Sequence, residues 1–235
     1  MKFKPLKFEK LISNKDIFEK TLVKTRNEYR PFDPGQYLYN LLLNKREKID
    51  IFSDEYLELV YTTLIAWNMN GRGAKLNDFD KFKKSIKDNK NKINSLKEYR
   101  IEKLSKEDIE KFKEVTKELF DSLELVGKSW TGNKIKSKLV TFSKTLHFLL
   151  PNLYVPIDRR YTLDFFYSNK MVPTDSNVKK NNEKQIKVFD ELYDKFHELA
   201  TTYNLKEYVD NKWNANIPKI IDNSIIGYGK MKELD

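Results

Sequence analysis

The chain has 235 residues, 39% of them apolar and 13% aromatic, and 45 lysines and arginines outweigh 35 acids to give a net charge of +10 and a pI near 9.3. Fifteen Phe and thirteen Tyr exclude a disordered chain, and the lack of cysteine excludes disulfides, thiolate metal sites and cysteine nucleophiles. Two histidines, His147 and His197, are too few for a histidine-rich metal centre, so neither a metal nor another cofactor is expected.

This length suits one large domain or two small ones, and the absence of a sharp composition break favours a single domain over 1–235. The cationic surplus favours a polyanionic partner through counterion release, DNA ahead of RNA. Free use of Lys, Asn and Ile codons by an AT-rich genome would leave the same surplus with no partner behind it. The start, "MKFKPLKFEKL", lacks the apolar run of a signal peptide, and no stretch approaches the ~18 apolar residues of a membrane span. A soluble, cytoplasmic protein without a membrane partner is expected.

Helical periodicity runs through most of the chain. "DEYLELVYTTLIAWN" (54–68) puts Leu57, Val60, Tyr61, Leu64 and Ile65 on one stripe with Trp67 beside it, Asp54 as N-cap and Gly71 as stop. The lysine- and asparagine-rich segment 83–104 reads as either a solvated helix or a mobile connection. "SKEDIEKFKEVTKELFDSLELVG" (105–127) opens with a serine cap and an acidic first turn, and repeats through Ile109, Phe112, Val115, Leu119, Leu123 and Val126. "NKIKSKLVTFSKTLHFLLP" (133–151) repeats through Ile135, Leu139, Phe142, Leu146 and Leu149. "NEKQIKVFDELYDKFHELATTY" (182–203) and "IPKIIDNSIIGYG" (217–229) complete the helices, with 168–184 as a loop between. No alternating run is long enough for a sheet, so the expected class is all-α.

"HFLLPNLYVPIDRRYTLDFF" (147–166) carries the most chemistry. Pro151 ends the helix before it, and Pro156 holds Val155 extended. Asp158 then falls at the N-cap of the next helix, where its carboxylate can accept backbone N–H groups, an arrangement worth about 1 kcal/mol with no function at all. The functional alternative is a rigidly held carboxylate between a phosphate-attracting pair, Arg159 and Arg160. Such a group can activate water or stabilise an oxocarbenium-like sugar cation, and in DNA the target base must first leave the stack.

"YVPIDRRYTLDFF" resembles the segment of helix-hairpin-helix DNA glycosylases in which an apolar turn reading roughly V-P-x-D delivers the catalytic acid to a helix start. The resemblance covers about residues 50–165, mainly as an order of elements, and implies an all-α glycosylase-like architecture with Asp158 as the acid. It likens "LVYTTLIAWNMNGRG" to the long helix and duplex-probing loop of that superfamily, which would place Asn68, Asn70 and Arg72 near DNA. The hairpin departs from the usual L-P-G-x-G, because "LELVGKSWTGNKIK" has Gly127 and Gly132 five apart and no proline. Bifunctional members carry a lysine nucleophile 18–20 residues before the acid, which singles out Lys138. A second resemblance, through "SKTLHFLLPNLYVPIDRRYTLDFF", is to a family of uncharacterised microbial proteins. It implies no activity, but suggests that Ser143, Lys144, His147, Asp158, Arg159, Tyr161 and Asp222 form one constellation.

Each remaining candidate carries a plain reading beside its functional one. His147 is either a core histidine bonded to a backbone carbonyl or a group orienting Asp158. The "NMNGRG" stretch is a helix end or an arginine grip on phosphate. Lys128, Trp130, Lys134, Lys136 and Lys138 form either a wet loop anchored by the tryptophan or a phosphate-binding edge with a ring for stacking, and Lys144, Arg159 and Arg160 would extend that edge. Together these residues point to a DNA-binding protein with base-excision chemistry at Asp158. The competing reading is a non-enzymatic interaction or nucleic-acid-binding protein in which Asp158 is only a cap.

Overall fold

A computed structural model of the chain describes residues 1–28, 33–68, 76–128, 132, 134–210 and 212–231. The chain is all-α: eleven α-helices and no strand among the described residues, joined by short 3₁₀ and π turns and two isolated β-bridges. They are α1 (Leu6–Ser13), α2 (Lys15–Glu28), α3 (Pro34–Arg46), α4 (Asp54–Ala66), α5 (Phe79–Asp88), α6 (Lys90–Ser95), α7 (Lys106–Ser122), α8 (Leu139–Leu149), α9 (Asp164–Tyr167), α10 (Val178–Thr202) and α11 (Ile217–Tyr228). No described helix is long and apolar enough to cross a membrane.

Local signals set several of these ends. Ser105 and Asp108 close a reciprocal capping box on α7, satisfying two orphan N–H groups at once. Ser53, not Asp54, caps α4, and Asp54 instead joins its acidic first turn. That helix stops at Trp67, and Asn68 follows in the left-handed region at φ 62°, a conformation that asparagine tolerates at a helix C-terminus. Gly71, Asn70 and Arg72 lie outside the described residues, as does Trp130.

Three spans differ from the sequence expectation, the first being 105–127, where α7 ends at Ser122 and Val126 instead forms a bridge with Leu76. The helix expected over 133–151 forms only from Leu139, because its first N–H groups are capped by a distant side chain: Gln185 Oε1 of α10 accepts from Lys138 N at 3.0 Å and Leu139 N at 3.1 Å. The loop expected over 168–184 gives way at Val178, where Asn177 caps α10 through Lys180 N. The basic stretch 83–104 is helical where it forms α5 and α6, anchored by Phe82, Ile86 and Ile93. Its lysines meet nearby acids: Lys83 and Lys87 reach Asp54, Lys84 reaches Asp88, Lys90 reaches Asp50 and Lys92 reaches Glu118. Over α5 and α6 that stretch is a compensated surface, not an open cationic face.

One apolar core runs from α1 to α11, with α8 inside it. Every residue of α8 is buried, polar ones included, as expected of a helix surrounded on all sides. Thr141, Ser143, Lys144, Thr145 and His147 therefore turn toward other segments. Helices α2 and α11 pack closely against each other, and there Thr25 Oγ1 donates to the Asn223 carbonyl at 2.5 Å. Gly227 lies so close to α2 that an added Cβ would stand 1.9 Å from the Thr21 carbonyl oxygen.

Between α7 and α10, Asp190 has a buried Oδ1 with no hydrogen-bond partner. Burial pushes its carboxyl up to about 6; Lys113 and Lys117 oppose the rise, while Asp194 and Glu110 add to it. A carboxyl raised in the folded state contributes stability below its unfolded value, and that contribution disappears as pH climbs through about 6. Asp190→Asn should therefore stabilise the protein at pH 7 by about 1–2 kcal/mol, discounted for partial exposure, and by almost nothing near pH 4. Urea midpoints at the two pH values would check this; an equal gain at both would separate the effect from ionisation.

Candidate functional site

Asp158 is fixed from several directions. Its Oδ1 accepts from Arg160 N at 2.7 Å and Tyr161 N at 3.3 Å, its own N–H donates to Thr162 Oγ1 at 2.9 Å, and its carbonyl accepts from Leu163 N at 3.0 Å. The last is an i to i+5 bond, so the turn that follows, Arg159–Leu163, is a π-helix running into α9. Such turns are rare and concentrate at functional sites. The cap forms as the sequence predicts, on a π turn where an ordinary helix was expected.

The other carboxylate oxygen faces inward. Asp158 Oδ2 lies 3.3 Å from Lys144 Nζ, whose side chain is 8% exposed against 32% for the aspartate. Both line a cavity of about 220 Å³, together with Trp67, Tyr161, Lys219 and Asp222. Lys219 Nζ sits 2.6 Å from Asp222 Oδ2 in a second, more deeply buried ion pair on α11. Both ammonium groups approach the Trp67 ring, Lys144 at 5.6 Å and Lys219 at 5.0 Å from its centroid, within cation–π range. Burial raises the Asp222 carboxyl; Lys219 and Lys144 pull it back, and the charge of Asp158 adds to the rise.

Trp67 forms one wall because α3 begins close against it. Asp33 caps α3 through Gln36 N at 2.8 Å, and the Trp67 indole N–H donates to the Gly35 carbonyl at 3.1 Å. A Cβ at position 35 would meet Trp67 Cδ1 at 3.0 Å, so glycine is what lets the indole seat there. Ser143 holds the chain before Asp158: its Oγ accepts from Ile157 N at 2.9 Å and donates to the Val140 carbonyl. Five segments thus supply this one cavity: the start of α3, the end of α4, α8, the 156–161 turn and α11.

His147 does not reach Asp158. Its Nδ1 pairs with the Tyr154 carbonyl and its Nε2 with the Tyr39 hydroxyl, each at 2.7 Å, and Asn216 Nδ2 donates to that same hydroxyl. These partners assign the proton to Nδ1. Full burial drives the imidazole down to about 3, so it stays neutral and ties α8 to α3 and α11. Its plain reading as a satisfied core histidine fits this placement.

Lys138 lies apart from Asp158. Its ammonium donates to the Phe120 carbonyl and rests 4.4 Å over the Phe120 ring, in a different and larger cavity whose lining includes Lys128, Lys134 and Lys136. The amine facing Asp158 is Lys144, six positions further along. Arg159 turns away, donating from Nε to the Lys170 carbonyl at 2.8 Å and from Nη2 to Met171 Sδ. Arg160 is exposed, 5.6 Å over the Tyr161 ring, and Asn68 is exposed beside Trp67.

Of the suspected constellation, Lys144, Asp158, Tyr161 and Asp222 line one cavity, with Ser143 bonded just behind it. Trp67 and Lys219 were not anticipated there. Compared with known proteins, the chain matches no family model, no curated protein and no solved structure.

Proposed function

We propose that the Asp158 cavity is a nucleobase-sized pocket, and that the protein is a DNA-binding glycosylase that hydrolyses an N-glycosidic bond there. The observation that carries this reading is the posture of Asp158. One oxygen is fully used as a helix cap, while the other is aimed, beside Lys144, into a small cavity with an indole wall. In this reading an extruded base lies along Trp67, and the Lys144-paired oxygen of Asp158 faces the sugar carbon, where it stabilises the developing cation or orients water. Lys144 holds that carboxylate oxygen from the cavity side at 3.3 Å, and exposed Arg160 and Asn68 contact the strand around the flipped nucleotide.

A second reading, Asp158 as a cap only, draws on the same two backbone bonds. Asparagine caps as well as aspartate, so Asp158→Asn separates the two. The variant also leaves buried Lys144 without its carboxylate, so Asp158→Asn/Lys144→Met is run beside it to remove the stranded charge. On end-labelled duplexes bearing a panel of damaged bases, wild type should release a base. Asp158→Asn should lose at least about a hundredfold in rate, and the double variant should regain stability without regaining activity. No base release by wild type on any duplex would sink the catalytic reading. Activity returning with stability in the double variant would make Asp158 a cap.

A further inference from the structure

The larger cavity, about 550 Å³, lies where the end of α7, the segment 123–128, the segment 134–138 and the start of α10 meet. Its volume falls within the range of small-molecule sites. Its charges are unevenly matched. Lys81 is paired with Asp78 at 3.0 Å and Asp175 with Lys184 at 2.6 Å, so neither is available to a ligand. What remains is Lys128, Lys134, Lys136 and Lys138 against Asp121 and Glu124. None of these four lysines has a carboxylate within ion-pair distance among the described residues.

Two further features share this sign. The 25-residue helix α10 begins at the cavity, with Val178, Asn181 and Asn182 in its lining, so the positive end of its dipole faces the space. Lys138 is partly buried, held among the described residues by the Phe120 carbonyl and ring, and burial with Lys134 nearby brings its amine down to about 8 despite Asp121 and Glu124. An ammonium in that position is short of counter-charge, and the space beside it can admit some. The most buried lining residues, Leu123 and Leu125, make the floor apolar, with half-buried Val126 and Ile135 beside them.

We propose that this cavity binds a phosphate-bearing small molecule of about nucleoside-diphosphate size, whose phosphates supply the counter-charge for the four lysines while its ring system covers the apolar floor. The site is independent of the Asp158 reading. A concave cavity with an apolar floor suits a free phosphorylated ligand better than the convex backbone of a duplex. Binding is linked to protons: an anion beside Lys138 raises its amine, so this lysine takes up a proton when the pH is near or above about 8 and almost none near pH 6, where the ligand's terminal phosphate gives one up instead.

The test is calorimetric titration of the full chain with ADP, adenosine and inorganic phosphate, in buffers of different ionisation enthalpy at pH 6 and pH 8.5. ADP should bind, with adenosine and the Lys134→Gln/Lys136→Gln variant each at least about tenfold weaker. The heat should depend on the buffer in opposite senses, proton uptake at pH 8.5 and release from the nucleotide's terminal phosphate at pH 6, and Lys138→Met, which keeps the packing on Phe120, should abolish the dependence at pH 8.5 only. If Lys138→Met does not fold, the wild-type comparison between the two pH values still reads the linkage. No saturable ADP binding at millimolar concentration would overturn the proposal, as would ADP affinity unchanged in the Lys134→Gln/Lys136→Gln variant. A short duplex bound through these lysines while ADP is not would overturn it equally, and would assign the rim to a nucleic-acid surface.

Discussion

Gly227→Ala is expected to destabilise the protein by about 3 kcal/mol or more, at or beyond the upper end of ordinary overpacking. The new methyl would stand 1.9 Å from the Thr21 carbonyl oxygen and 2.6 Å from its carbon, and both are backbone atoms in the middle of α2. A flexible side chain could swing aside; a helix backbone cannot move without parting α2 from α11. That separation would also stretch the 2.5 Å bond from Thr25 Oγ1 to the Asn223 carbonyl. Gly229→Ala is the matched control, because its nearest neighbours are at 3.6 Å and its φ of −65° suits any residue. Urea unfolding of the two variants should differ by several kcal/mol. Equal midpoints would mean that the helices have room the structure does not show.

Lys219→Met is expected to cost about 3–5 kcal/mol, since it strands a buried carboxylate. Lys219 and Asp222 are 3% and 4% exposed, and their 2.6 Å contact is what makes burial of either charge tolerable. The loss should shrink as pH falls. Burial already raises the Asp222 carboxyl, and removing Lys219 removes a cation that opposes the rise, so the variant recovers stability once Asp222 takes up a proton. Lys219→Met/Asp222→Leu should recover most of the loss at neutral pH, because replacing both partners of a buried pair with apolar groups is often neutral or better. A single variant within about 1 kcal/mol of wild type at pH 7 would show that the pair contributes little, and a double variant no better than the single would locate the cost in packing around Trp67.

Legibility in the sequence followed the range of the interaction. The capping box of α7 spans four residues and was readable, as was the Asp158 cap, set by the prolines before it. The N-terminus of α8 was not, because its cap comes from Gln185, 46 residues beyond Leu139. The apolar stripe of α8 marked one buried face correctly, yet the opposite face, with Ser143, Lys144 and His147, is equally buried. Periodicity cannot reveal that, since a polar face looks like a solvent face until its partners on other segments are known. The same limit applied at the candidate site. Asp158 and Lys144 are 14 residues apart and were both in view, whereas Trp67 and Lys219 come from segments that the sequence gives no reason to join. Lys138 met the expected spacing from Asp158, but position along the chain did not translate into position in space.

The cavity at Asp158 also has a timetable. Its walls come from residues 33–36, 66–67, 144, 156–161 and 219–226, and the last of these belong to α11. During synthesis the aspartate, its lysine and the indole are all outside the ribosome before the wall that encloses them has been made. Until α11 arrives, the deeply buried pair does not exist, and the groove in which α2 will hold Gly227 stands open to water. Translation by itself therefore delays the finished pocket to α11, and a chain halted before residue 219 would carry the Asp158 turn, Lys144 and Trp67 without the wall that Lys219 and Asp222 supply.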